Sequence, residues 1–137
     1  MTREEMMRVI GDAYAARVSG NVEGIVAAFA PNARFSLNAA PPLPTVAVAT
    51  EGEGGIRKEM AQLVNAFEFQ KLDIVDSVVE GSKAAVRIRF TVRSRTTGSI
   101  AVTESLDLFE FRDGKVASYT QFFDTALADR MMTPAKN

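Results

Sequence analysis

The spacing of hydrophobic positions changes once along this chain: they recur every three or four residues up to about residue 66 and alternate from Phe67 onward. The first regime predicts helices. Thr2 followed by Glu5 spells a capping box, and Met7, Ile10, Tyr14 and Val18 then define a helix from Thr2 to Ser19 with Tyr14 on its buried face. Gly20 ends it, Asn21 can cap a second helix, and the stripe Val22, Ile25, Val26 and Phe29 stops at Pro31. Ala33 to Leu37 and Thr45 to Thr50 read as short strands around a Pro-rich tip, Ala39 to Pro44, a rigid loop placed to cover a pocket mouth. Gly52 and Gly55 start a third helix whose stripe is Ile56, Met60, Leu63, Val64 and Phe67.

Four strands follow, over Phe67 to Val79, Ala84 to Arg95, Ser99 to Arg112 and Val116 to Phe123, and a short helix from Thr125 to Met131 closes the chain. Helices first and strands last predict an α+β fold: a curved antiparallel sheet with three helices from the N-terminal half on its concave face, in one domain spanning residues 1–137.

One position breaks the strand pattern. Asp107 lies between Leu106 and Leu108, with Phe109 and Phe111 beyond, where burial and strand propensity both disfavour a carboxylate. An even loop between the second and third long strands pairs Arg95 with Ile100 and sets Asp107 opposite Ile88, on the apolar face. A three-residue loop sets it opposite Arg87 or Arg89 as an ion pair. The even loop is favoured because it gathers Val86, Ile88, Phe90, Val92, Phe109 and Phe111 on one side. Asp107 is then desolvated, with its pKa raised. It is either a structural acid satisfied by a hydroxyl such as Ser105 or a functional one. The last hairpin is open: a two-residue Asp113-Gly114 turn puts Tyr119 and Gln121 on the far face, and a three-residue Arg112-Asp113-Gly114 loop puts them beside Asp107 and Ser105.

Composition narrows the chemistry. The 137 residues include no cysteine and no histidine, which leaves Asp, Glu, Tyr and Lys for proton transfer and predicts no metal site and no cofactor. A net charge of −1 argues against a nucleic-acid or anionic-membrane partner, no apolar run reaches a membrane span, and MTREEMMR leads into no signal sequence, so the expected location is the cytoplasm. Arg87, Arg89, Arg93 and Arg95 read as a solvated or rim surface.

Several stretches taken together resemble the SnoaL-like and ketosteroid-isomerase-like families of the nuclear-transport-factor-two superfamily. They are Ser19-Gly20-Asn21 with Ile25, Phe29-Ala30-Pro31-Asn32-Ala33, Gly52 with Ile56-Arg57, Leu106-Asp107-Leu108-Phe109 with Asp113-Gly114-Lys115, and Tyr119 to Asp124. The resemblance implies a cone closed by three helices around a deep apolar pocket, and a homodimer through the outer sheet face, which Ile100, Val102, Leu106 and Leu108 suit. It also favours the three-residue hairpin loop. Asp107 matches the strand position where ketosteroid isomerases keep a protonated acid that donates to an enolate oxygen. The position of their base is Leu37 here, and their oxyanion tyrosine falls on Ala13 or, with a turn one residue shorter, on Tyr14. The epoxide-hydrolase branch's Arg-x-Asp reads Ser105-Leu106-Asp107, and the last-strand carboxylate of that branch and of the cyclases reads Gln121.

Three functions are compatible with this pattern. The first is an isomerase, dehydratase or hydrolase acting on a small, apolar or partly polar organic ligand, with Asp107 and Tyr14 catalytic and Tyr119, Gln121, Ser105, Phe109, Asn38, Ile88 and Phe90 forming the pocket. The second is a binding protein without turnover. The third is a dimerisation module.

Overall fold

The computed structural model describes residues 1–38 and 49–134. The Pro-rich tip and the first residues of the second strand expected from the sequence lie outside them. Helix α1 (Arg3–Ser19) begins at the Thr2–Glu5 capping box and ends at Gly20, whose φ of 72° closes the helix in the left-handed conformation that glycine adopts without strain. Helix α2 (Val22–Val26) is capped by the Asn21 side chain. Strand β1 (Phe29–Asn38), strand β2 (Ala49–Glu51) and helix α3 (Gly52–Ala66) follow. The long strands are β3 (Phe67–Glu80), β4 (Lys83–Ser94), β5 (Ile100–Arg112) and β6 (Lys115–Phe123), and helix α4 (Thr125–Met132) comes last. Together the strands make one curved, open six-stranded sheet in the order β2-β1-β6-β5-β4-β3, with helices on one side. The expected α+β cone is present.

The core lies between the helices and the concave face. Met6, Ile10 and Tyr14 project inward from α1, Ile56 and Met60 from α3, and Val86, Ile88, Phe90, Phe109 and Phe111 from the sheet, all buried. The inward line of α1 is thus Met6-Ile10-Tyr14 at four-residue steps; Met7 is partly buried and Val18 exposed, so the helix is rotated from the expected stripe. Phe29 also departs from expectation. It opens β1 instead of closing α2, because it pairs with Val116 of β6, and that pairing overrides the weak tendency of a five-residue helix to continue.

Two strand pairings correct the sequence reading. β1 runs parallel to β6, so the sheet is not wholly antiparallel. Between β4 and β5 the loop has the expected even length but starts one residue earlier: the Ser94 N–H donates to Ser99 O, and the Arg95 N–H is taken by Ala66 O. Every pair therefore slides by two, and Asp107 stands opposite Val86 instead of Ile88. Parity is kept. Asp107 still faces the core.

The last hairpin decides which side chains join it. The turn is the two-residue form, with Asp113 at φ 53° and Gly114 at φ 81°, and Arg112 pairs with Lys115. By itself that turn would send Tyr119 and Gln121 outward. A bulge at Ala117 inserts one residue, since Phe111 pairs with Val116 but Glu110 with Ser118, and alternation is reversed from there on. Tyr119 then pairs with Phe109 and Gln121 with Asp107, both on the inner side. The three-residue loop is corrected; its consequence for Tyr119 and Gln121 arises by another route.

Because the Asp113 position demands positive φ, Asp113→Val is expected to destabilise the protein by about 1–2 kcal/mol, whereas Asp113→Gly leaves stability unchanged or raised. Urea unfolding of the two variants checks this.

Candidate functional site

Asp107 has no solvent exposure, and its carboxyl is surrounded by four donors drawn from three elements. Tyr14 of α1 donates its hydroxyl to Oδ2 at 2.6 Å and Tyr119 of β6 donates to the same oxygen at 2.8 Å. Oδ1 accepts from Ser105 Oγ at 3.1 Å and from Gln121 Nε2 at 3.1 Å. Gln121 Nε2 also lies 3.0 Å from the Tyr119 hydroxyl, so its amino end suits a cluster of oxygens. Strand alternation explains the composition: Ser105 and Asp107 are two apart on β5, and Gln121 is the direct cross-strand neighbour of Asp107.

Packing fixes the tyrosines. The Tyr119 ring stacks on Phe109 at 4.5 Å between centroids and tilts against Phe35 at 5.2 Å, and Tyr14 meets the edge of Phe109 at 6.2 Å. Burial pushes the Asp107 pKa above the usual carboxylate range, and the hydrogen bonds from Tyr14, Tyr119, Gln121 and Ser105 oppose that rise in part. Burial, followed by the neighbouring Asp107 charge, raises both tyrosines above the ordinary phenol value, so both stay protonated at neutral pH.

An apolar cavity of about 110 Å³ lies against this cluster, space for several waters or a small organic molecule. Tyr14, Tyr119 and Gln121 line it, as do Phe109, Ile88 and Phe90. Asp107 and Ser105 do not. They stand behind the wall that the two tyrosines and the glutamine form. Asn38 is exposed and away from the cavity, because Phe35 and Leu37 take the inward positions of β1 and alternation turns Asn38 outward. Leu37 itself lines the cavity, an alkyl group where the resemblance puts a base.

The sequence reading passed over Arg17. It lies one turn beyond Tyr14 on α1, lines the cavity, and places its guanidinium 3.8 Å from the Phe69 ring centroid. The available signal is its three-residue spacing from Tyr14, one position before Val18 of the expected stripe. Among the described residues no group of three or more carboxylates could hold a metal ion, and no helix is long and apolar enough to cross a membrane.

An α+β cone with helices on its concave side and a cavity between the layers is the class this geometry defines. A family model described as a SnoaL-like domain matches residues 10–119, most of the chain, and the protein belongs to that family. No curated protein matches it. Solved structures share the fold: a proposed isomerase from Bacillus subtilis superposes with a TM-score of 0.85 at 12% identity, covering 97% of each chain. TerC, crystallised with polyporic acid, gives 0.80 at 18% identity over 93% of this chain and 98% of its own. A protein from Catenulispora acidiphila with a ketosteroid isomerase-like fold, in complex with trimethylamine, gives 0.77 at 10% identity over 93% of each. At such identities the likeness is one of fold.

The raised pKa of Asp107 has a definite sign in stability. Between the ordinary carboxylate pKa near ~4 and the higher native value, the folded state holds a proton that the unfolded state has lost. Stability is thus fullest below about pH 4 as far as this group is concerned, falls as pH rises through that window, and levels off above the native pKa. Urea unfolding across pH is expected to show this slope in the wild type and its loss in Asp107→Asn. Asp107→Leu, which strands two buried tyrosine hydroxyls, is expected to cost about 3 kcal/mol or more.

Proposed function

We propose that this chain, read as one SnoaL-like domain over residues 1–137, binds a small, mainly apolar organic molecule bearing an oxygen function and acts on it without a cofactor. The reaction is of isomerase, lyase or hydrolase type. The observation that carries this reading is the buried Asp107 carboxyl, held by two tyrosines and a glutamine that themselves form part of an apolar cavity wall.

Proton counting gives the mechanism. An ionised Asp107 accepts from all four partners and turns both tyrosine hydroxyl protons away from the cavity. A protonated Asp107 must donate to a hydroxyl, since the Gln121 amino group cannot accept. On Oδ2 the available hydroxyls are Tyr14 and Tyr119. The tyrosine that receives the proton is released to donate its own toward a carbonyl, enolate or epoxide oxygen in the cavity. Asp107 thus acts through a tyrosine, without touching the ligand itself. That two relatives of this fold were crystallised with small organic molecules supports a ligand in the cavity.

One observation favours a second reading, binding without turnover: Leu37 and Gln121 stand on the wall where the resemblance expects carboxylates. Incubation with ketones, lactones, phenols and epoxides, followed by product analysis against an Asp107→Asn control, separates the two. Products formed by the wild type alone support catalysis; saturable binding with no product supports a carrier.

Tyr14→Phe and Tyr119→Phe are each expected to weaken a carbonyl ligand about three- to tenfold, the worth of one hydrogen bond, and to leave its hydrocarbon analogue unaffected. Equal losses for both ligands, measured by NMR titration, would refute the tyrosine donor.

The outer sheet face is read as a homodimer interface of a cytoplasmic protein. Ile100, Val102, Leu106, Leu108 and Phe122 are exposed there, and the paired Arg89 and Glu104 lie beside them. Sedimentation is expected to show a dimer at micromolar concentration and a monomer for Val102→Asp; a wild-type monomer would rule the interface out.

A further inference from the structure

Among the described residues Arg17 is the one cationic side chain lining a mainly apolar cavity, whose other polar lining residues are Tyr14, Thr103, Tyr119, Gln121 and Asp124, the last with its carboxylate engaged in capping α4. Its Nη2 donates to Phe67 O at 2.7 Å and to Leu63 O at 3.3 Å, at the C-terminal end of α3. That accounts for one of its three nitrogens. Among the described residues Nε and Nη1, with three N–H groups between them, have no partner, and no ion pair includes Arg17.

Capping α3 does not explain a full guanidinium here. Arg95 already serves the same helix end through Val64 O, and its charge is compensated by Glu68 at 3.5 Å. Arg17 has no such compensation. Burial pulls its pKa down to about 10, an effect that Tyr119 opposes and Arg95 reinforces, so the group stays charged, and its partnerless nitrogens are not fully buried. Beside it Phe69 is covered on both faces, by the Arg17 guanidinium and by Phe90 with centroids 4.3 Å apart, so this aromatic wall is already packed and offers apolar surface to a ligand without a gap between its rings.

We infer that the ligand is an organic anion: its carboxylate-type oxyanion takes the free N–H groups of Arg17, and its apolar body lies against the wall that Phe67, Phe69 and Phe90 form. The inference rests on the small-molecule reading above and gives that ligand a second polar pole, separate from the oxygen addressed by Tyr14 and Tyr119.

The test uses two probes of nearly the same shape, 2-naphthoate and 2-naphthamide, titrated into the full chain at pH 7 by calorimetry. Naphthoate is expected to bind about tenfold or more tighter, the span of a charge-assisted hydrogen bond. Arg17→Gln is expected to erase that preference while leaving the amide within about threefold, and Arg17→Lys to keep part of it. Equal affinities in the wild type, or a preference retained by a folded Arg17→Gln, overturn the inference with the cavity reading intact. If neither probe binds, the small-molecule reading fails, and this one with it. Should Arg17→Gln not fold, the Arg17 Nε–H resonance of the wild type decides: it must move with naphthoate and not with naphthamide.

Discussion

A carboxyl group removed from water needs donors on both oxygens, and satisfying Asp107 is the constraint on which the interior of this protein depends. Four side chains from α1, β5 and β6 converge on it, and no buried side-chain nitrogen or oxygen among the described residues is left without a partner. The hydrogen bonds tie the helix layer to the sheet across the middle of the cone. Tyr14 is where the two layers are pinned in angle as well as in distance, because an apolar contact tolerates sliding and a 2.6 Å hydrogen bond does not.

The cavity and this cluster are two sides of one wall. Phe109, Tyr119 and Tyr14 pack ring against ring, with their apolar surfaces toward the open space and the two tyrosine hydroxyls toward the carboxyl behind it. A ligand therefore meets the acid only through groups already oriented by packing, the preorganisation that polar sites in apolar surroundings require. Arg17 lies on the same helix face as Tyr14, one turn on, so α1 alone carries both a neutral and a cationic group to the cavity.

Much of this was legible in the sequence because period and punctuation report it directly. The change from helical to alternating spacing at Phe67, the Thr2–Glu5 box, and glycines at strand ends placed the elements, and an acid among Leu106, Leu108 and Phe109 marked the site. What escaped depends on tertiary contacts that leave no local trace. The parallel pairing of β1 with β6 is a choice of neighbour, and nothing in Phe29 to Asn38 encodes it. The two-residue slide between β4 and β5 comes from Arg95 bonding to Ala66, a residue far away in sequence. The Ala117 bulge hid behind a turn that looked sufficient by itself; parity counted from the turn alone gave the wrong face, and only one added residue restored it. Arg17 adjoins Val18, which the regular apolar stripe selects, and no local signal separates a cavity-lining arginine near a helix end from a solvated one.

The position of β1 in the sheet has a consequence for how the molecule is made. β1 is hydrogen-bonded on one side to β6, whose first residue lies nearly eighty positions after the end of β1. On the ribosome, α1, α2 and β1 emerge before α3 and the long strands, with Met6, Ile10 and Phe35 uncovered, and wait until β2 through β5 have followed before β6 can pair with β1. Long-range parallel pairing of this kind is slow to form, since the loop-closure entropy is spent before the contacts that offset it exist. The cone closes last at the seam that also assembles the Asp107 cluster, so an interior acid satisfied by both α1 and β6 is also a mark that β6 has been made and has found its place.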